Sequence, residues 1–156
     1  MPSRRDLIQM TPEEVRAYLE EQTRIIVVTN GPDGMPHPMP MNYGVDDEGR
    51  ILMTTFRKSQ KVRNIERDPR ATLLVESGEG YSDLKSVIAY ADVEIIDEPE
   101  EVARAMSGIR AGQEMTGSLS ESMSEQVRAS IAKRVALRFT PFRYVSWDHT
   151  KLGKYY

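Results

Sequence analysis

Between positions 57 and 70 the chain carries six basic residues, Arg57, Lys58, Lys61, Arg63, Arg67 and Arg70, against two acids, Glu66 and Asp68. Cations help at a helix C-terminus and are mildly unfavourable at an N-terminus. Here Arg57, Lys58 and Lys61 crowd around Ser59, a good N-cap residue, at the start of a short helix whose buried side is Val62 and Ile65. Free backbone N–H groups and the helix dipole at that end already favour an anion. The placement points to a bound phosphate or carboxylate that reverses the local sign. Arg63 and Arg67, spaced i, i+4 away from the apolar pair, read instead as a solvated face.

Two strands must hold this helix. The run Ile51-Leu52-Met53-Thr54-Thr55-Phe56 is β-compatible and ends at Arg57-Lys58; Ala71 to Val75 resumes a strand. Between them Asp68-Pro69 stops the helix, because proline disfavours helical geometry in the residue before it. Upstream, Pro36, Pro38 and Pro40 occupy every second position of MPHPMPMNYGV, so their missing N–H groups share one edge. That edge lacks a hydrogen-bonded neighbour. The segment is either an extended surface piece or a strand whose unpaired edge faces a ligand, with Met39, Met41, Asn42 and Tyr43 as soft and polar contacts.

The remaining elements follow in order. Residues 1–10 read as a loosely held lead-in. Thr11-Pro12-Glu13-Glu14 starts a helix over about 12–22, with a capping box and the stripe Val15, Tyr18 and Leu19. Ile25 to Thr29 is a continuous β-branched run of the kind buried on both faces. Turns follow at Asn30 to Gly34 and Asp46 to Gly49. Beyond the Gly- and acid-rich loop with Tyr81, residues 85–97 form the longest strand, and Pro99 opens a helix carrying Val102, Ala105, Met106 and Ile109. Ser122 to Glu125 is a further capping box, leading a helix lined by Met123, Val127 and Ile131. Residues 134–147 close the chain as two strands or one strand bent at Pro141.

With 156 residues, 39% hydrophobic and 29% charged, the chain suits one domain over 1–156. The net charge of −3 makes the basic cluster local, whereas nucleic-acid binders are more often basic throughout. Interleaved aromatics that would stack bases are lacking as well. Zero cysteines remove disulfides, thiolate metal sites and thiol nucleophiles. His37 and His149 have no Asp or Glu at ligand spacing, so no metal site is expected. The N-terminus has no apolar signal segment and no run approaches membrane-spanning length, so the expected compartment is the cytoplasm, with no membrane partner. Six β-runs joined mainly by hairpins predict a mainly β fold with inserted helices, a six-stranded antiparallel Greek-key barrel. A Rossmann site is unsupported, because no Gly-x-Gly-x-x-Gly element follows a strand.

The strand Ile25–Thr29, the Gly-Pro-Asp-Gly turn, Met39-Pro40-Met41-Asn42, Thr54 to Asn64 and Asp68-Pro69-Arg70 together resemble the pyridoxamine 5'-phosphate oxidase-like split β-barrel superfamily. More narrowly they resemble its branch of flavin/deazaflavin oxidoreductases that use cofactor F420. The resemblance covers 12–97 and, with the closing strand and Ser146-Trp147-Asp148-His149, nearly the whole chain. It implies a homodimer with a tricyclic cofactor in the groove between subunits. Arg57, Lys58, Ser59, Gln60 and Lys61 would then hold its phosphate, Thr54 and Thr55 would line the ribityl chain, and Pro40, Met41, Asn42 and Tyr43 would lie against the rings. Substrate would stack over the ring, near Tyr81, Trp147 or His149 of either subunit, with no side chain marked as an acid–base catalyst. The cofactor would carry the hydride between itself and a conjugated or aromatic small molecule. FMN is the alternative cofactor, and a non-catalytic flavin-, deazaflavin- or tetrapyrrole-binding barrel the alternative function. Members that oxidise pyridoxamine phosphate grip it with a C-terminal Arg and His. This tail has no Arg after Arg143, which argues against that activity, while F420, with a phosphate and a polyglutamate tail, suits the extra cations at 63, 67 and 70.

Overall fold

A computed structural model describes residues 2–111 and 125–153. The order is α1 (Arg4–Ile8), α2 (Pro12–Glu21), β1 (Arg24–Asn30), β2 (Pro36–Asn42), β3 (Gly44–Val45), β4 (Ile51–Phe56), α3 (Gln60–Arg67), β5 (Arg70–Ser77), β6 (Lys85–Ile96), α4 (Pro99–Ala111), α5 (Glu125–Ala132) and β7 (Arg134–Asp148). Short 3-10 turns cover Tyr81–Asp83 and His149–Leu152. All strands join one antiparallel sheet in the order β2-β1-β5-β6-β7-β4-β3. The expected count of six strands is therefore low by one. The addition is the two-residue β3, too short to give a periodic signal.

β2 and β3 lie at opposite ends of the strand order, yet only Tyr43 separates them in the chain. Adjacent Cα atoms are about 3.8 Å apart, so the two edges of the sheet must meet at this residue. The sheet is curled into a barrel pinned shut there. Tyr43 is buried, and its hydroxyl donates to the Leu19 carbonyl at 2.5 Å, satisfying one of the acceptors that the last turn of α2 leaves open. Burial pushes that hydroxyl far above the usual tyrosine pKa.

Sequence chemistry explains the pieces. The β1–β2 hairpin turns on Gly31, where a Cβ would stand 2.6 Å from the Met35 carbonyl, and on Gly34 at φ +82. Asp46 fixes the β3–β4 turn by accepting from the Glu48 and Arg50 backbones and the Arg50 guanidinium. Thr11 and Glu14 form the capping box of α2. The lead-in is more ordered than its polarity suggests: Ser3 and Asp6 cap α1, and Met10 is buried with its N–H on the Ser146 hydroxyl at 3.1 Å. The closing segment is a single strand, and the pairing of Tyr90 with Arg143 and Ala91 with Pro141 leaves Phe142 as a bulge at the bend. The capping box at 122–125 and Met123 fall in or beside the stretch outside the described residues.

The main core lies inside the barrel, with Ile25, Val27, Met53, Leu73, Val87, Leu137 and Phe139 closed by Val15, Leu19, Val62 and Ile65 from the helices. A second cluster lies outside it, where Val102, Ala105 and Met106 of α4 and Ile131 of α5 pack on Ala136 and Ile96. β1 departs from the expectation of burial on both faces: Ile25, Val27 and Thr29 are buried, while Ile26 and Val28 are half-exposed.

Replacing Tyr43 with Phe removes the pin and leaves the Leu19 carbonyl without its partner. Urea denaturation should show a loss of about 1–3 kcal/mol. An unchanged midpoint would mean that the two sheet edges are held together by packing alone.

Candidate functional site

The barrel is open on one side of Tyr43. β3 pairs Gly44 with Leu52 and Val45 with Ile51; continued, that register would set Asn42 opposite Thr54 and Pro40 opposite Phe56. No such pairs form, and β2 instead follows β1, with Ile26 opposite Pro40 and Val28 opposite Pro38. The prolines explain the parting. In an antiparallel strand, residues two apart send N–H groups to the same edge, so the free edge of β2 has lost its donors at Pro36, Pro38 and Pro40. From Pro36 to Pro40 it offers carbonyl acceptors only, and Asn42 alone keeps an N–H there.

A cleft of about 390 Å³ occupies this gap. Its walls are Pro40, Met41 and Asn42 of β2 and Thr54 of β4, together with Arg24, Met106 and Arg134, which sequence reasoning missed. Among the described residues no acidic side chain lines it. Among the described residues, Arg24, Asn42 and Thr54 make no side-chain hydrogen bond or ion pair. Arg134 lies over the Phe56 ring at 4.3 Å and reaches the Ser130 hydroxyl at 3.4 Å, so it is oriented but not neutralised. Strand parity holds the signal that could have found both arginines. Arg24 is two residues before Ile26 and Arg134 pairs with Phe56, which places them on the outward faces of β1 and β7.

The basic cluster at the start of α3 is divided by the fold. Lys61 turns into the barrel, 6% exposed, with its Nζ donating to the Thr55 hydroxyl at 2.8 Å. Among the described residues no carboxylate lies within ion-pair reach of it, and burial lowers its pKa. Arg57 is taken by Asp97 at 2.5 Å, and Lys58 is exposed. Ser59 stands at the N-cap but does not cap; its hydroxyl meets that of Thr55 at 3.4 Å, leaving the first N–H groups of α3 without a side-chain acceptor. Gln60 donates to the fully buried Asn64, which in turn donates to Thr29 and ties α3 to β1.

Thr54 and Thr55, paired in the sequence reading, fall on opposite faces of β4, as successive strand residues must: Thr54 in the outer cleft, Thr55 inside with Lys61. Tyr43 is spent on Leu19. Of the three expected substrate contacts, Tyr81 and His149 do meet, with their rings 4.6 Å apart and the His149 Nδ1 2.6 Å from the Tyr81 carbonyl, while Trp147 is half-buried near the end of β7. They stand at the far end of β7: Ala136 is the residue paired with Thr54, and eleven residues of strand from there to Trp147 span about 36 Å if fully extended. Within one chain they do not join the cleft. The inner face of β2 carries His37, whose buried Nδ1 has no partner among the described residues.

A curled antiparallel sheet split along one seam is the architecture of the split β-barrels. Residues 11–148 match the family described as pyridoxamine 5'-phosphate oxidase, and the chain belongs to that family. It is similar to a conserved hypothetical protein from Mycobacterium tuberculosis, at 36% identity over 97% of this chain and 93% of that one, with a TM-score of 0.83. More distant folds alike include an F420 reductase at 23% identity, TM-score 0.62, covering 86% and 98% of the two chains. The heme storage protein HutZ from Vibrio cholerae, at 15% identity and TM-score 0.62, covers 86% and 94%. A search of curated proteins finds no match. No helix among the described residues is long and apolar enough to cross a membrane.

Lys61 gives a pH test. Its folded pKa lies below the ordinary 10.5, so the unfolded chain holds this proton more tightly than the folded one. The resulting penalty is full below the folded pKa and fades as pH rises from there to the ordinary value. Lys61→Met should therefore raise the melting temperature of the ligand-free protein at pH 7, with the gain shrinking towards pH 10. A variant less stable at pH 7 would mean that the lysine is already compensated.

Proposed function

We propose that the protein is an oxidoreductase that moves a hydride between the deazaflavin F420 and a conjugated or aromatic small molecule. The observation that carries this reading is the charge state of the split. Among the described residues, Lys61 is buried with only a hydroxyl for company, α3 begins without a side-chain cap, and the neighbouring cleft holds two arginines and no acid. Lys61 and the uncapped start of α3 lack an anion, and a phosphate-bearing cofactor supplies one. A general family likeness also supports the reading, since an F420 reductase shares the fold.

The residues divide the work. Lys61, Thr55, Ser59 and the first N–H groups of α3 hold the phosphate, with Lys58 at the rim. Thr54 and Asn42 offer hydrogen bonds to the polyol chain, and Pro40 and Met41 lie against the ring system. The acceptor-rich edge of β2 suits a ligand with N–H and O–H donors. When bound, the cofactor supplies the hydride; the protein orients it and excludes water. FMN presents a similar phosphate, so both cofactors belong in the test.

Fluorescence titration of the ligand-free protein with F420 and with FMN should show micromolar or tighter binding, F420 the tighter. Lys61→Ala should weaken it at least tenfold, about 1.4 kcal/mol. Binding of neither compound would remove the oxidoreductase reading, and turnover-free binding would leave a carrier or storage protein.

The reading includes a homodimer. On the outward face, Pro40, Ile26, Leu74, Ile88 and Val145 are paired in direct register across β2, β1, β5, β6 and β7. This apolar row starts at the cleft, and its last four members are only half-buried in the single chain. A second copy seated on it covers the open side of the split and brings its own Tyr81, Trp147 and His149 within reach. Leu74→Asp should shift the protein to monomer in sedimentation and weaken cofactor binding at least tenfold. A monomeric variant that binds as tightly as the parent would show that the site is complete in one chain.

A further inference from the structure

Lys61 and the pair Arg24 and Arg134 are separate sites of positive charge. Lys61 points to the interior of the barrel through the inner face of β4, where it meets Thr55. Arg24 and Arg134 line the outer cleft with Thr54, on the other face of the same strand. A single phosphate at α3 therefore leaves the outer pair unanswered. Both arginines differ from Arg57 and Arg70. Arg57 is matched by Asp97, and Arg70 by Asp68 at 3.0 Å. Arg24 has no partner among the described residues, and Arg134 is held by neutral groups alone, the Phe56 ring and the Ser130 hydroxyl.

Stacking on Phe56 fixes the plane of the Arg134 guanidinium without using its charge. A planar fork with five donors, fixed in place beside a second one, matches a planar carboxylate. Thr54 and Asn42 add uncharged donors in the same cleft. We infer that Arg24 and Arg134 form a carboxylate clamp, distinct from the phosphate end at Lys61. The ligand of the split thus carries two anionic groups, one at each end of the seam. This inference rests on the cofactor reading above and adds what lies at the other end.

The carboxylate has two possible sources, an acidic tail on the cofactor or an acid group on the substrate. Three measurements separate them, using R24Q, R134Q and, as a charge control, R5Q on the exposed face of α1. The first is binding of F420 with its glutamate tail against the deazaflavin phosphate lacking it. If the tail occupies the clamp, R24Q and R134Q weaken the tailed form at least tenfold and leave the tail-less form unchanged. The second is steady-state kinetics with a conjugated carboxylic acid and its methyl ester. If the substrate occupies the clamp, the KM of the acid rises at least tenfold in both variants while that of the ester and kcat hold. Equal effects on all ligands, or effects no larger than those of R5Q, overturn the clamp. The third needs no cofactor: γ-linked triglutamate at millimolar concentration should raise the melting temperature of the parent protein and not of R24Q or R134Q. This last result fails or holds independently of F420 binding, and an unshifted parent overturns the clamp even if the cofactor binds at Lys61.

Discussion

Everything about this site depends on three missing hydrogens. A β-barrel closes when its first and last strands exchange backbone hydrogen bonds. Here the segment from Pro36 to Val45 begins to do so at Gly44 and Val45 and cannot continue, because proline at 40, 38 and 36 has removed the donors along that edge. The sheet is consequently shut at Tyr43 and open beyond it. A bare strand edge invites pairing with other chains, and proline is one of the ways proteins blunt it. In this chain the same device makes a cleft between Asn42 and Thr54 where regular pairing would have left none.

The split also decides where charge can sit. Thr54 and Thr55 are neighbours in sequence, but the pleat sends one out and one in, and the basic residues around them are sorted with them. Lys61 follows Thr55 inward and loses its hydration; Arg134, opposite Phe56, stays on the outer side with Thr54. Burying an ammonium against one hydroxyl is unfavourable in the empty protein. A protein selected only for stability would place a methionine or leucine there, and the phosphate proposed above is what would offset the cost of the lysine.

Much of this was legible from residue types. The alternating prolines identify an edge strand, and the run from Ile51 through Pro69 to Val75 gives strand, helix and strand where they occur. What resists reading is whatever the tertiary fold decides. β3 is two residues long and carries no period. The ends of one extended segment pair with strands on opposite edges of the sheet, a relation without local signal. The cluster at 57–61 reads as one anion site because spacing shows proximity and not partners: Asp97, which takes Arg57, is forty residues away. Arg24 and Arg134 look like unremarkable strand-end cations until the barrel brings β1 and β7 to the two sides of one gap. Ser59 has the residue type of a cap, and only the position of Thr55 shows why its hydroxyl points elsewhere.

The β-branched run at 25–29 carries the remaining discrepancy, and it is informative. Uninterrupted apolar residues predict a strand covered on both faces, while the single chain covers only the side of Ile25 and Val27. A one-sided antiparallel strand needs only every second residue apolar, so Ile26 and Val28 are unexplained within one chain. Ile26 is the member of the outward row that touches Pro40 across the hairpin, and so the row and the cleft share a border. Residues that suit a covered face, placed where the cleft opens to solvent, are what a sequence shaped by a second subunit would contain. The homodimer proposed above would cover these residues; in the single chain the expectation of burial on both faces does not hold.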